Sequence, residues 1–416
     1  MRGSRFLRQL GPGLLAGVSD DDPSGIGTYV QAGASYGYAM LWTMPLLAFF
    51  MVPVQDLSGR LGRATGHGIA GNIRHEYAPW VAWTMLPLIA FNNVVTLGAD
   101  LNAMAAAARA LFGGHALLWV FSIAVVSLAL LIILRYRMYV NFLKWLTLTL
   151  ACYVAVPFAT DVHWREAIAA TIFPHVALTQ DYLVLLVAVI GTTISPYMFF
   201  WQAEEEAEDI DHRPRAKAAK DSTTARKHMA RIRTDTVTGM VVSNLIGYFI
   251  ILAAGATLFA HGERGVKTAG EAAQALAPLA GPAARWLFSI GILGSGLLVL
   301  PVLAGSAAYA VGEALEWSVG LDRSVRRARA FYAVLIIAVA VAALLNVFRV
   351  NPIQALVWAG VVNGIVATPA LIVLILLTTR EELMGSFKAT PALRAGAWAT
   401  AVVMFVSNVA MLVTLF

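Results

Sequence analysis

Three consecutive carboxylates lie inside the first apolar stretch of the chain. Asp20, Asp21 and Asp22 follow about two helical turns of apolar sequence, and Pro23 and Gly25 come next. A carboxylate at the centre of a membrane-spanning helix costs roughly 3 kcal/mol, while Pro and Gly both disfavour helix at this point. We therefore expect a broken helix whose carboxylates and freed carbonyls line a cavity, which is the chemistry of a cation site. A non-spanning N-terminal loop is the alternative, and the apolar sequence on both flanks argues against it.

A second candidate break lies in the sixth apolar stretch. It reads Gly-Thr-Thr-Ile-Ser-Pro-Tyr over residues 191–197, so Ser195, Pro196 and Tyr197 follow closely on the Thr192 carbonyl. Two breaks five spans apart, one of them carrying carboxylates, match the plan of transporters built from inverted repeats. Spans one to five and six to ten are then related by a two-fold axis in the membrane plane, and the two discontinuous helices meet at its centre.

The composition predicts the elements that position these breaks. The 416 residues are 59% hydrophobic and only 13% charged, and the mean hydropathy is +0.71. Average soluble domains carry about a quarter charged residues, so the chain is predicted to be an integral membrane protein. The net charge of +6 is interpreted as a sign of topology rather than of a nucleic-acid partner, and the single cysteine, Cys152, excludes a disulfide framework. Eleven spans of bilayer length are predicted, at residues 10–38 (broken), 39–57, 80–111, 116–134, 138–160, 181–203, 236–259, 284–313, 328–347, 351–377 and 393–415.

Basic residues indicate how these spans are oriented. Arginine and lysine concentrate in alternate connections, which places the N-terminus in the cytoplasm of a multi-pass protein of the cell membrane. The segment 204–235 is acidic and then basic, and it is predicted to be a solvated cytoplasmic loop. The chain is predicted to form a single transmembrane domain, with repeat one at about 10–160, repeat two at about 181–377 and helix eleven at about 393–415.

Several polar residues fall at membrane depth outside the two breaks. Asp100 needs a partner or a proton because it is an intramembrane carboxylate, and both a functional and a structural role stay open for it. His67 and His75 lie in a Gly-rich connection and are interpreted as an ordinary surface pair. The other residues are expected to form hydrogen bonds between helices; they are Asn92, Asn93, Thr96, Asn102, Asn244 and Asn363.

At these residues the chain resembles the natural resistance-associated macrophage protein (Nramp) family of divalent-metal transporters. The family's helix-one pattern Asp-Pro-Gly-Asn reads Asp-Pro-Ser-Gly at 22–25, and its helix-six pattern Ala-Thr-Val-Met-Pro-His reads Thr-Thr-Ile-Ser-Pro-Tyr at 192–197. The helix-three pattern Asp-Leu-Ala-Glu reads Asp-Leu-Asn-Ala at 100–103, and the resemblance runs from Gly11 to about Pro369. It implies an all-α integral membrane protein of the LeuT type, with an inverted repeat of helices 1–5 and 6–10, an eleventh helix, and discontinuous helices one and six.

The resemblance also implies a metal site, from which this sequence departs at two positions. In the family, metal is held by the Asp and Asn of helix one, a helix-six carbonyl and the Met sulfur. Here Asp22 and the Thr192 carbonyl remain, whereas Gly25 and Ser195 replace the Asn and the Met. A site of oxygen ligands suits hard cations such as Mg2+, and these losses look like the Nramp-related magnesium-transporter branch. They also predict a wider site that accepts a partly hydrated ion.

Further residues are assigned to this site by the same comparison. Asp20 and Asp21 are expected to add negative potential near its entrance or to contact the ion through water. Asn363 is placed where the family has a helix-ten glutamine. The helix-break hinges that free backbone groups are predicted to be Pro23, Gly25 and Pro196.

Proton coupling is predicted to be weak or absent. The family's proton route uses the helix-six His and the helix-three Asp and Glu, which read Tyr197, Asp100 and Ala103 here. A tyrosine, with a pKa near 10, cannot exchange protons usefully at neutral pH. Asp100 and Tyr197 are therefore the candidate coupling residues, and Asp100 is the one titrating group that remains on this route.

The predicted function is transport of a divalent metal ion, Mg2+ and/or Mn2+, by alternating access. The ion is the substrate, and no cofactor, nucleic acid or obligate protein partner is expected beside it and the lipid bilayer. One alternative is a LeuT-type carrier of a non-metal solute, such as an amine with Asp22 as its counter-ion. A more remote alternative is a membrane enzyme that holds a metal with the Asp cluster, although the second Asp-rich motif of prenyl transfer is not found in the sequence.

Overall fold

The structure is a computed structural model that describes residues 17, 19–133, 148–212, 222–321 and 323–415, and helices are the only regular secondary structure in these parts. Helices of eight residues or more are numbered here in chain order. They are α1 Pro23–Tyr36, α2 Thr43–Thr65, α3 Ile69–Glu76, α4 Pro79–Phe112, α5 Ala116–Ile133, α6 Trp164–Ile172, α7 Gln180–Thr193, α8 Pro196–His212, α9 Ser222–Ala254, α10 Ala284–Ala314, α11 Arg329–Leu345, α12 Pro352–Thr379 and α13 Pro391–Leu415.

Eight segments of the described chain are long and apolar enough to cross a membrane, and they coincide with predicted spans three, four and six to eleven. The predicted second span, 39–57, proves to be α2, which extends to Thr65 and carries buried Asp56, Arg60 and Arg63. Spans one and five lie partly outside the described residues, and Thr149–Phe158 is the described apolar part of the fifth. Large apolar side chains such as Val125 and Ile133 are exposed on the helix surfaces, as a lipid-facing surface requires.

Both predicted helix breaks are present. Residues 19 and 20 are helical, the chain bends at Asp21 and Asp22, and α1 begins at Pro23. The second break separates α7, which ends at Thr193, from α8, which begins at Pro196. Proline at the first position of a helix loses nothing, because the N–H of that position has no partner inside the helix.

Glycines allow the helices around the breaks to approach through their backbones. A Cβ atom on Gly191 of α7 would lie 2.1 Å from the carbonyl oxygen of Gly360 and 2.3 Å from the nitrogen of Gly364, both in α12. A Cβ on Gly33 of α1 would lie 2.4 Å from the carbonyl oxygen of Ile251 in α9. No larger residue fits there without moving backbone, so α1 and α7 are held closely against α9 and α12 respectively.

The prediction of a solvated loop over 204–235 is wrong in part, because its described residues are helical and Glu206 is buried, whereas Arg226, Lys227 and Arg233 are exposed. α8 continues to His212 and α9 begins at Ser222, while residues 213–221 lie outside the described chain. Arg63 pairs with Asp209 at 2.8 Å, and Arg231 pairs with Glu206 at 2.5 Å. Glu206 is 1% exposed, so these charges form a buried network that joins α2, α8 and α9. Opposite charges on three helices neutralise one another, and for that reason the segment need not face water.

Candidate cation site

Asp22 lies at the start of α1, where the first helix is broken. Its Oδ1 accepts hydrogen bonds from Ser24 Oγ at 2.8 Å and from the backbone N–H of Gly25 at 2.6 Å. Its Oδ2 accepts a hydrogen bond from the hydroxyl of Tyr197 at 2.8 Å. Asp22 is therefore the N-cap of α1, and the carboxylate is fixed by donors from both broken helices while only 1% of the residue is exposed.

The second break lies beside the first. Ser195 Oγ lies 2.7 Å from the carbonyl oxygen of Thr192 and 2.8 Å from that of Gly191, and can donate to either. The hydroxyls of Thr192 and Ser24 are 3.5 Å apart, which joins the two breaks directly. A carbonyl oxygen has two lone pairs, so Thr192 keeps one for a further ligand.

Three more carboxylates lie near Asp22, and each has at least one oxygen without a hydrogen-bond partner. Both oxygens of Asp100, and Oδ1 of Asp20 and of Asp21, are buried without a hydrogen-bond partner. The other oxygen of Asp20 accepts a hydrogen bond from Ser243 of α9. Asp100 lies within electrostatic range of Asp22. An unpaired buried carboxylate costs several kcal/mol. The four carboxylates together would therefore be stabilised by a bound cation or by protonation.

The donors are not arranged as a rigid cage. Within the described residues, no three His, Cys, Asp or Glu side chains are placed to hold a metal ion by themselves. An ion between the breaks would be held by Asp22 together with carbonyls and hydroxyls. Such a site releases its ion more easily than a closed cage of charged ligands, as transport requires.

The structure does not support the expected widening of the site at Gly25. A Cβ added to Gly25 would lie 2.8 Å from the carbonyl oxygen of Asp20 and 3.3 Å from Asp22 Oδ1. The space that a larger residue would need is filled by the turn of the chain before the helix. Gly25 lets its own backbone N–H approach the carboxylate of Asp22, rather than leaving room for a larger ion.

Asn363, which was assigned to the site, directs its hydrogen bonds elsewhere. Its Oδ1 accepts from Asn92 Nδ2 at 2.7 Å and from Thr96 Oγ1 at 3.2 Å, both in α4. Asn363 therefore joins α12 to α4, as was expected of the other polar residues at membrane depth. Asn244 behaves in the same way and donates to the sulfur of Met51 in α2 at 3.1 Å.

Three residues of the site were not singled out from the sequence. Ser24 could have been found, because Asp before Pro and a small hydroxyl residue is a typical N-cap pattern. Tyr29 binds the hydroxyl of Thr193 at 2.8 Å, and Ser243 binds Asp20. These two contacts join residues more than 160 positions apart along the chain, and no local sequence pattern predicts them.

Comparison with known proteins agrees with this architecture. The family description "Natural resistance-associated macrophage protein-like" fits residues 13–414. The divalent metal cation transporter MntH of Acidiphilium cryptum is 27% identical over 98% of this chain and 90% of its own length. The manganese transporter of Eremococcus coleocola, solved with an aromatic bis-isothiourea substituted compound, superposes with a TM-score of 0.75 at 17% identity over 96% of this chain and 84% of that one.

A second structural likeness extends beyond the metal transporters. Mhp1, a nucleobase-cation-symport-1 family transporter solved in a closed conformation, matches with a TM-score of 0.61 at 16% identity over 97% of this chain and 91% of that one. These likenesses show the LeuT-type fold, and the relatives named here are transporters rather than enzymes. With two matched helix breaks, a carboxylate where they meet and a family match over nearly its whole length, the chain belongs to the natural resistance-associated macrophage protein family.

Proposed function

We propose that this protein transports a divalent cation, Mg2+ in preference to Mn2+, across the cell membrane by alternating access, with its N-terminus in the cytoplasm. The observation that carries the proposal is the position of Asp22, which lies where both helix breaks meet and beside three further carboxylates with unpartnered oxygens. The names of the relatives support a metal ion as the substrate. The buried carboxylates supply the charge that such an ion needs.

The preference for Mg2+ follows from the chemistry of the donors. The groups that contact Asp22 are hydroxyls and a backbone N–H, and the neighbouring acceptors are carboxylate and carbonyl oxygens. Ser195 stands where the family has the methionine sulfur, and soft thioether ligands favour transition metals whereas oxygen ligands favour Mg2+. The site therefore lacks the feature that would favour Mn2+ over the more abundant hard ion.

The residues of the site are at most 3% exposed, which fits an occluded state of alternating access. On one side Tyr29 of α1 and Thr193 of α7 join the two broken helices by a 2.8 Å hydrogen bond. On the other side the buried ion pairs of Arg63 and Arg231 hold α2, α8 and α9 together. Breaking one closure while keeping the other would expose Asp22 to one side of the membrane at a time.

Weak proton coupling is part of the proposal. The hydroxyl of Tyr197 donates to Asp22, and a tyrosine, with an ordinary pKa near 10, does not exchange protons usefully at neutral pH. Ala103 offers no titratable group, so Asp100 would be the one acidic residue left on the family's route. A single carboxylate supports at most a local exchange with Asp22 rather than a relay.

The test is uptake of Mg2+ and Mn2+ into proteoliposomes, with internal pH recorded at the same time. Asp22→Asn keeps the shape of the side chain and removes its charge, and the exposed Asp161→Asn serves as the matched control. We expect Mg2+ uptake without acidification in the parent and in the control, and a loss of at least tenfold in the Asp22 variant. Mn2+ uptake with proton entry would contradict the predicted selectivity and coupling, and no uptake of either ion would contradict the metal substrate.

The same preparation separates the second candidate, a carrier of an organic cation. This alternative rests on Asp22, whose carboxylate lies where the two helix breaks meet and could serve as the counter-ion of an amine. An amine would form one charge-assisted bond with Asp22 and need no further carboxylate. This candidate would be favoured if the protein took up an organic cation, and if amines, but not Mg2+, competed for that uptake.

A further inference from the structure

A basic cavity lies where four membrane-spanning helices begin or end. Its walls are the end of α4, the start of α5, the connection from α11 to α12, and the segment between α9 and α10. Its volume is about 1000 Å3, at the upper end of the range of ligand pockets, about 300–1,000 Å3. α4 is the third predicted span, so in the proposed orientation the cavity lies on the side of the membrane away from the cytoplasm.

Three permanent cations line this cavity, and they come from three of its walls. Arg109 belongs to the last turn of α4, Lys267 to the segment between α9 and α10, and Arg349 to the connection from α11 to α12. The side chains of these cations make no ion pair or hydrogen bond within the described parts of the chain. Glu271 accepts from the backbone N–H of Lys267 at 2.7 Å, but it is not among the described lining residues, which include no aspartate or glutamate. The cavity therefore has an excess of positive charge, which favours an anion.

The backbone that carries two of these cations is fixed by asparagine side chains. Asn102 of α4 donates to the carbonyl oxygen of Val350 at 3.0 Å, and Asn351 donates to that of Lys267 at 3.0 Å. Arg349 has a φ of 56°, in the left-handed region that glycine adopts freely and arginine does not. Backbone strain of this kind is typical of ligand sites. The arginine is thus held in a conformation that its own backbone disfavours.

Aromatic side chains beside the cavity place it at the depth of lipid headgroups. The ring of Phe112 lies 5.7 Å from that of Trp119 and 6.0 Å from that of Trp286, between ring centroids. Phe112 is 62% exposed, and exposed aromatic residues at the ends of spanning helices are typical of the membrane–water interface. The turn from α4 to α5 carries Gly114 and His115, which line the cavity. The basic cavity and the aromatic cluster therefore share one turn of the chain.

We infer that this cavity binds the phosphate headgroup of an anionic phospholipid, from the leaflet that faces away from the cytoplasm. Arg109 and Arg349 bind the phosphate oxygens, because a guanidinium group matches phosphate in shape and charge, and Lys267 supplies a third positive charge. The start of α5 also lines the cavity, so the positive end of its helix dipole adds to the attraction. The leaflet follows from the proposed orientation, whereas lipid binding is independent of Asp22 and of the transported ion.

The bound headgroup connects segments that the fold brings together from distant parts of the chain. Next to Lys267, the backbone N–H of Val266 donates to Gln31 of α1 at 2.9 Å. A lipid that bridges Lys267 to Arg109 therefore joins the segment that contacts α1 to the end of α4. Because these segments meet only in the folded protein, the lipid stabilises the folded state by mass action.

The test is native mass spectrometry of the purified, delipidated full-length protein with added phosphatidylglycerol, and with phosphatidylcholine as the control lipid without net charge. We expect phosphatidylglycerol to bind at least tenfold more tightly, and inorganic phosphate at the same concentration not to displace it. Equal binding of the two lipids would overturn the inference. Displacement by phosphate would identify a site for a free anion and overturn the assignment to a lipid.

Two variants of the cavity and one matched control complete this test. Arg349→Gly removes a cation at a position where glycine adopts the observed φ without strain, so this variant should fold. It and Arg109→Gln should each weaken the binding of phosphatidylglycerol about fivefold, as expected for one basic residue beside an anionic headgroup. Arg165→Gln, at an exposed position of α6 on the same side of the membrane, should bind as the parent does. Equal affinity in all four proteins would overturn the inference.

Thermal unfolding provides a second readout. Phosphatidylglycerol should raise the unfolding temperature of the parent and of Arg165→Gln by the same amount, and that of Arg349→Gly by at most half as much. Without lipid, Arg349→Gly should unfold at the temperature of the parent or above it, because the strain at this position is relieved. An equal rise in all three proteins would contradict binding of the lipid at Arg349.

Discussion

Replacing Gly191 by alanine should force apart the two helices that support the second break. The added Cβ would lie 2.1 Å from the carbonyl oxygen of Gly360, whereas ordinary contact begins at 3.4 Å. α7 and α12 would therefore have to separate by about 1.3 Å, the difference between these two distances. The obstructing atoms belong to backbone and cannot rotate away, as the end of a side chain could.

The expected loss of stability follows from two opposing terms. Overpacking a tightly packed interior costs 1–3 kcal/mol, and an obstructing backbone places this site at the upper end, at about 3 kcal/mol. Alanine is the better helix former by about 1 kcal/mol. The net change of about 2 kcal/mol corresponds to roughly a 30-fold lower ratio of folded to unfolded protein. Uptake should also fall, because the neighbouring Thr192 carbonyl is displaced.

The measurement is reversible unfolding of the purified protein in mixed detergent micelles. Gly270→Ala is the matched control, since Gly270 is also helical and an added Cβ would find its nearest heavy atom, Thr268 Oγ1, at 3.8 Å. The control should be neutral or slightly stabilised. If the Gly191 variant unfolds together with the control, the contact between α7 and α12 is looser than the structure indicates, and the reasoning fails.

Three further substitutions examine the site and its closures. Ser24→Ala removes the 2.8 Å hydrogen bond to Asp22 and should weaken cation binding about tenfold in a calorimetric titration, since hydrogen bonds to charged groups contribute about 1.5–3 kcal/mol; unchanged affinity would remove Ser24 from the site. Tyr29→Phe removes one bond that closes the site and should slow initial uptake by up to about tenfold, with cation affinity unaltered; a changed affinity at normal speed would contradict a closing role. Arg63→Gln removes one of the two arginines of the buried network and leaves Arg231 with Glu206, so it should cost about 3 kcal/mol, the lower end for a broken buried pair, in unfolding experiments, whereas the exposed Arg326→Gln should cost less than about 0.5 kcal/mol; equal losses would show that the buried pairs do not stabilise the fold.

Local patterns and their spacing predicted both helix breaks. Proline removes a helix hydrogen bond at Pro23 and Pro196, but it is not sufficient by itself, because Pro301 and Pro369 lie inside continuous helices. The carboxylates before Pro23, and the position of Ser195–Pro196 five spans later, supplied the rest of the prediction. The Asp22 position at the break followed from the same physics. The long apolar helices followed from composition, because the bilayer imposes length and apolarity on every span.

Contacts between distant segments were not predictable in this way. Asn363 was assigned to the site because it was placed where the family has a helix-ten glutamine, yet its oxygen accepts from Asn92 and Thr96, and an aligned position does not reveal which helix a side chain faces. The charged segment 204–235 was read as solvated because charge usually means water. Glu206 is instead buried against Arg231, while Arg226 and Arg233 are exposed, and which charges pair in this way depends on tertiary structure.

The hydrogen bond between Asp20 and Ser243 has a consequence for biosynthesis. The two residues are 223 positions apart, and a ribosome adding about 5–20 residues per second needs roughly 10–45 s to make the intervening chain. During that interval the first span has been made, but its carboxylate has no serine to receive it. The nascent helix must wait, sheltered by the insertion machinery or by protons on its own carboxylates, until α9 emerges and completes the pair.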